Sequence, residues 1–336
     1  MKLRQLCLVA GLALAAVTAS AQDIQERTIK FGHLVQPGHP IALGTQKFAE
    51  IVAAKSGGKL KVREYGASVL GSESQQVGAV QGGVQEIFLP ATTSAASLVK
   101  EMSLIDTPFS FSSARQVDAL LQGPFGEAVA QKLPEKGIVA LGYWETGFRN
   151  ITNSRKPITS VDDVRGLKIR VMGNPLFLES FQALGTNPVP MAFGELYGAL
   201  ESRALDAQEN PYSIVLTSKF NEVQKFMSVT NHVYTANIFM VSKRFWDKLS
   251  ATEQKILADA AREAGAYQLQ VSRDAADKAR RELEAKGMKI NDVPAPVIAA
   301  MRAATAPVAQ KFAASYDPKL VQLYNAEMKR IHETVR

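Results

Sequence analysis

The sequence predicts an α/β protein of two lobes, built on mainly parallel sheets, with strands crossing between the lobes and a long helix spanning both. Three observations carry this. From Gln22 onward, short apolar runs alternate with segments of helical periodicity, the pattern of crossover units whose sheets are covered on both faces. From Gly147 the same grammar restarts, which asks for a second lobe. Finally, Ile256, Ala260, Ala264, Tyr267, Val271, Ala275, Ala279 and Leu283 recur every three or four residues, an inward stripe several turns long.

Element by element, residues 28–34 (TIKFGHL) read as a strand and residues 41–54 as a helix through Leu43, Phe48, Ile51 and Val52. Residues 60–65 form a second strand, a helix starts at Ser72, and 86–89 make a third short strand. Residues 138–144 (IVALGYW) are a buried-strand candidate, and "FRNITNS" is a further one opening the second round. "LKIRV" (167–171) is a buried strand, after which Asn174 as N-cap and Pro175 at the first helical position start a helix ending at Leu184-Gly185. "LDAQE" is a short strand closed by Asn210-Pro211. From about Lys243 the chain is mostly helical, with further helices over 294–312 and 320–331. There is no low-complexity linker and no internal repeat, so the lobes are expected to share strands rather than hang on a tether.

The chain has 336 residues, 46% apolar and 21% charged, the balance of a soluble globular protein of about two domains. Residues 1–21 read differently. Lys2 and Arg4 precede an apolar run from Leu6 to Val17, and Ala19-Ser20-Ala21 resembles a cleavage site. The expectation is a secretory signal peptide cut near Ala21-Gln22 and a periplasmic mature chain. The single cysteine, Cys7, falls inside that leader, so the mature chain has no thiol for disulfides, nucleophilic catalysis or thiolate metal sites. Removing the leader lowers the formal charge from +7 to +5, with no run of basic residues, and a nucleic-acid partner is not expected.

Signatures of catalysis are sparse. His33, His39, His232 and His332 do not stand at zinc-ligand spacing, and H-E-x-x-H, G-x-S-x-G and the glycine-rich phosphate loops are absent. A Ser-His-Asp triad is spatial and leaves no spacing to check. No cofactor and no metal are expected. Arg170 is the residue that asks for an explanation. It sits at the carboxyl end of an apolar strand, where parallel sheets bind ligands, and a buried guanidinium needs an anionic partner or water. Arg149 opens the second lobe, and Asn210 stands at another strand's end. Two arginines and an amide converging there make a carboxylate clamp, since the planar fork of arginine holds both carboxylate oxygens. The competing reading pairs each arginine with an internal acid such as Glu145, Asp163 or Glu209.

The segments "GFRNITNSRKPITSVDDVRGLKIRV" (147–171), "PMAFGELYGALESRALDAQENP" (190–211) and "EVQKFMSVTNHVY" (222–234) resemble the substrate-binding proteins of tripartite ATP-independent periplasmic (TRAP) transporters of the DctP type, and the resemblance runs over essentially the whole mature chain. It implies two hinged lobes closing on one organic acid. Lobe I is expected over 22–146 and 236–275, lobe II over 147–235 and 276–316, with 317–336 as a C-terminal helix packed on them. The resemblance assigns the main bidentate carboxylate contact to Arg170, further anion contacts to Arg149 and Asn210, and ligand packing to Phe193. Asn174, at the turn after the Arg170 strand, is taken as a further candidate.

In the first lobe, "GASVLGSES" is similar to a family segment whose following residues face the cleft. Glu73 is therefore a candidate acceptor for ligand hydroxyls; its competing reading is an acid favoured in a first helical turn. His33 is a candidate donor, or else a satisfied edge histidine. Ala91 and Leu34 replace the acid and asparagine of the family's sialic-acid binders, which argues against that ligand. With no lysine or arginine placed for a second carboxylate, the expected solute is a hydroxylated monocarboxylate such as a hexuronate or other sugar acid; a C4-dicarboxylate or keto acid is the alternative. The implied partners are the small and large membrane subunits of a TRAP permease, with a monomeric binding protein. A periplasmic enzyme using Glu73 or His33 as a base, and a sensor partner using the same cleft, are the rival readings.

Overall fold

The computed structural model describes residues 24–335; the expected leader, with Cys7 and the Ala21-Gln22 cleavage point, lies outside the described residues. Strands β1 (Arg27–Gly32), β2 (Leu60–Tyr65), β3 (Ile87–Phe88), β4 (Ile138–Asn153), β5 (Lys168–Val171), β6 (Asn187–Pro190), β7 (Ala207–Asn210), β8 (Phe226–Ser242) and β9 (Lys289–Asp292) join in one sheet. Its order is β2-β1-β3-β8-β4-β7-β5-β6, with β9 on β8. The β1/β2, β1/β3, β5/β6, β5/β7 and β8/β9 pairs are parallel. Only the pairs made with β4 or β8 at the centre, β3/β8, β4/β8 and β4/β7, are antiparallel. One lobe is therefore built on β1–β3, the other on β5–β7, and the two long central strands belong to both.

The helices are α1 (Pro40–Lys55), α2 (Glu73–Gly82), α3 (Thr92–Ala95), α4 (Ala114–Leu121), α5 (Pro124–Ala130), α6 (Pro175–Ala183), α7 (Leu196–Glu201), α8 (Tyr212–Thr217), α9 (Lys243–Trp246), α10 (Ala251–Ala285), α11 (Ala295–Ala313) and α12 (Pro318–Thr334). Their ends follow local chemistry. Asn174 accepts from the Leu176 N–H ahead of Pro175, and Ser250 and Glu253 form a capping box at the start of α10. Helix α11 packs on α6, whereas α12 packs on α4 and α5.

The second-round strand expected at "FRNITNS" is not separate from the one at 138–144. Both are parts of β4, 16 residues long, paired with the 17-residue β8. Sequence periodicity breaks inside β4 because the strand is irregular there: its register against β8 shifts at Ala140/Tyr143, Glu145/Gly147 and Arg149/Ile151. At the middle shift Glu145 faces Ala236 and Gly147 faces Thr235, so Thr146 is the extra residue of a β-bulge. Gly147 has a φ of 112°, a backbone region that side chains with a Cβ rarely enter.

Helix α10, 35 residues long, packs on α1 of one lobe, on β4 and on α8 of the other. Above the bulge its inward stripe differs from the apolar one expected. Tyr267 is 38% exposed, and Gln268 and Ser272 are buried instead. The reason is polar. The Gln268 side-chain amide accepts from the Glu145 N–H (2.9 Å) and donates to the Glu145 carbonyl (2.7 Å). It supplies a strand's hydrogen bonding where the bulged strand has no neighbour on that side. Trp144, next in β4, packs with Phe31 and Phe239, and Gly44 of α1 and Gly265 of α10 lie so close to its ring that a Cβ at either would approach within 3 Å.

Gln268→Leu strands two buried backbone groups and is expected to lower unfolding free energy by about 2–4 kcal/mol. Chemical denaturation checks this; an unchanged midpoint would contradict the role given to the amide.

Candidate functional site

A cleft of about 500 Å³, part of it open to solvent, lies where both lobes meet the central strands. Of the residues expected from sequence, His33, Glu73, Arg149, Arg170, Phe193 and Asn210 line it. Asn174 does not. Its carbonyl oxygen caps α6 and its amide nitrogen donates to the Thr93 carbonyl and the Ser103 hydroxyl, so it ties the second lobe to the first outside the cleft. His39 and Ser213, 3.1 Å apart, make another such tie.

Arg170 projects from the end of β5 and is 2% exposed. Its Nε donates to the Met191 carbonyl at 2.9 Å, and its guanidinium carbon stands 5.9 Å from the centre of the Phe193 ring. Among the described residues the two terminal nitrogens meet no acceptor and no carboxylate forms an ion pair with them. Burial pulls the guanidinium below its ordinary pKa, against the opposing charges of Glu73 and Glu209.

Arg149 is in the opposite condition. It lies within β4 rather than at a strand end, and its fork grips Glu209 of β7, donating through Nη2 at 2.9 Å and through Nε. Further contacts go to Thr235 Oγ1 (3.0 Å) and Asn210 Oδ1 (3.1 Å). His232 adds a ring nitrogen to Glu209 at 2.9 Å. Burial alone would raise the Glu209 carboxyl, but Arg149 and His232 bring it down to about 2. The internal pairing with Glu209 thus holds for Arg149 and fails for Arg170. The clamp contains two guanidinium groups and one neutralising carboxylate, which leaves one positive charge open.

On the first-lobe side, Glu73 is the first residue of α2, after the capping Ser72, and faces the same cleft. His33 Nε2 meets Glu64 at 2.9 Å, while its buried Nδ1 has no partner among the described residues. Sequence reasoning missed Thr146, Thr235 and Asn237, which also line the cleft. A signal was present: Thr235 and Asn237 interrupt the apolar run of "YTANIFMV" two residues apart, so both point to one face of β8.

Residues 31–315 match the family described as bacterial extracellular solute-binding protein, family 7. The chain belongs to this family and is a TRAP solute-binding protein. It is 35% identical over 271 residues to the 2,3-diketo-L-gulonate-binding periplasmic protein YiaO of Escherichia coli, covering 80% of this chain and 81% of that one. It is 34% identical over 279 residues to the C4-dicarboxylate-binding periplasmic protein DctP of Rhodobacter capsulatus, covering 82% and 83%. Its fold matches the crystal structure of the sugar acid binding protein of Advenella mimigardefordensis in complex with galactonate, with a TM-score of 0.90 and 38% identity, over 92% of this chain and all of the other. TRAP solute-binding proteins take small carboxylate ligands and work with membrane permease subunits; the family consists of substrate-binding transport proteins rather than enzymes. Among the described residues no helix is long and apolar enough to cross a membrane, and no cluster of His, Cys, Asp or Glu is arranged to hold a metal ion.

Behind the clamp, Asp106 is fully buried with one oxygen unpartnered. Burial raises its carboxyl to about 7, only partly offset by the Thr92 hydroxyl and by the Arg149 charge. The unfolded carboxyl ionises near 3.8, so between the two values the folded state holds the extra proton and stability falls as pH rises. Asp106→Asn does not titrate and is expected to remove most of a pH-dependent loss of about 4 kcal/mol between pH 4 and pH 7. Parallel stability curves for the two proteins against pH would overturn this assignment.

Proposed function

We propose that this TRAP solute-binding protein captures a hydroxylated monocarboxylate of the sugar-acid class, a hexuronate or an aldonate, in the periplasm. It works as a monomer and delivers the acid to the small and large subunits of its permease. The observation that carries the reading is the buried Arg170 fork with no anion of its own. A solute carboxylate completes the charge balance there, Phe193 covers the guanidinium, and the Arg149–Glu209 pair with Asn210 forms the polar wall beside it. Because an unpartnered buried cation is costly, the empty cleft favours an open, hydrated state, and the arriving anion shifts the population toward closure.

The solute's remaining atoms lie toward Glu73, whose carboxylate accepts hydroxyl hydrogens and repels a second anionic group. With Arg149 already matched by Glu209, no second open cation is left in the lining for a dicarboxylate. Similarity to the galactonate-binding and diketogulonate-binding proteins points the same way. The C4-dicarboxylate reading keeps the support of similarity to DctP of Rhodobacter capsulatus and to a TRAP solute-binding protein with bound succinate, and uses the same Arg170.

Thermal unfolding against hexuronates, aldonates, C4-dicarboxylates and keto acids tests this. A ligand at a hundred times its dissociation constant adds about 2.7 kcal/mol of stability. A shift with a sugar acid is expected; a shift with dicarboxylates alone would overturn the first-lobe reading and leave the clamp. Arg170→Ala is expected to weaken binding by roughly 2–5 kcal/mol while the protein stays folded, and Arg170→Lys to weaken it too, because a point charge lacks the fork. A fallen melting temperature with binding intact would make Arg170 a structural residue instead.

A further inference from the structure

The crossing strands carry polar groups that the carboxylate clamp does not use. Asn237 of β8 is 5% exposed and borders the cleft. Its Oδ1 accepts a hydrogen bond from the hydroxyl of Thr146, the extra residue of the β4 bulge. With Oδ1 taken by that bond, the two hydrogens of Nδ2 meet no acceptor among the described residues. The Asn237 backbone is held as well, by a bridge to Ala91. The amide is thus fixed at one end and open at the other.

Resting on the sugar-acid reading above, we infer that Asn237 is a specificity-determining residue of the cleft, donating to a hydroxyl or keto oxygen of the solute, with Thr146 as the positioning residue that sets the amide. Spacing gives the rule its length. Asn237 stands two residues from Thr235 on the same strand face, about 7 Å along β8. Thr235 Oγ1 is itself 3.0 Å from Arg149 Nη1, at the clamp. The amide therefore meets the solute at a carbon of its chain, beyond the clamped carboxylate.

A donor pair that closure around the solute would leave without an acceptor also explains discrimination. An acid with an oxygen at that carbon satisfies the amide. One with a methylene there strands it, which costs more than the lost bond would suggest. The bulge is what brings Thr146 to this place, because in a regular ladder it would sit opposite a β8 residue rather than between Ala236 and Thr235.

The test is a cycle between residue and ligand group. Dissociation constants are measured for D-galactonate, D-galacturonate and the singly deoxygenated forms of each, with the unmodified protein, Thr146→Val, Asn237→Leu and Arg170→Ala. Thr146→Val keeps the side-chain shape. Both Thr146→Val and Asn237→Leu are expected to weaken a parent acid about tenfold or more, and the deoxy acid lacking the read oxygen less than threefold. Arg170→Ala should weaken every acid alike. Equal weakening of parent and deoxy acids by the Thr146 and Asn237 variants, or none, would overturn this inference while the clamp stands. Failure of the unmodified protein to bind any of these acids would overturn the sugar-acid reading and this inference together.

Discussion

A guanidinium buried without a counterion is the constraint on which the rest of this structure depends. Removing a charge from water is expensive unless a partner restores its interactions. The protein does this internally for Arg149, with Glu209, Thr235 and Asn210, and leaves Arg170 half satisfied by one carbonyl and one aromatic face. The difference between these two arginines defines the site. Arg149 is a fixed part of the wall, and Arg170 is the position that, in the proposed function, an incoming anion completes.

Other features serve that arrangement by holding two lobes in a defined relation. Strands β4 and β8 run through both lobes, so the lobes are joined by a shared ribbon rather than by a tether. The bulges of β4 put the irregular backbone beside the cleft, and α10 braces the strand's unpaired edge there through Gln268. Below the clamp, His232 and Asp106 extend the buried polar network. Burial holds the imidazole pKa down, and it raises the Asp106 carboxyl. A histidine held below its ordinary pKa and an acid held above its own limit the number of uncompensated charges packed around the two arginines.

Much of the fold was legible in the sequence because its elements have strong local causes. Strand β2 and the start of α6 were readable from the alternating Leu60 and Val62 in one case and an Asn-Pro cap in the other. The continuity of β4 was not, since bulges erase period-two patterning and a broken strand reads as two. The phase of α10 at Gln268 and Ser272 was also hidden, because a buried amide that matches a backbone gap looks like a polar surface residue until its partner is known.

For the site, the sequence alone determined that Arg170, Arg149, Asn210, Phe193, Glu73 and His33 were worth placing together, since strand ends and family motifs are local signals. Only the tertiary structure decided that Arg149 is matched by Glu209 while Arg170 is open, that Asn174 ties the lobes outside the cleft, and that Thr146 and Asn237 face the solute space. The physical reason is that charge pairing and hydrogen-bond satisfaction are made across the fold. Glu209 reaches Arg149 from 60 residues away, and Thr146 reaches Asn237 from 91. Periodicity says which way a side chain points; what it meets there depends on how the strands are brought side by side.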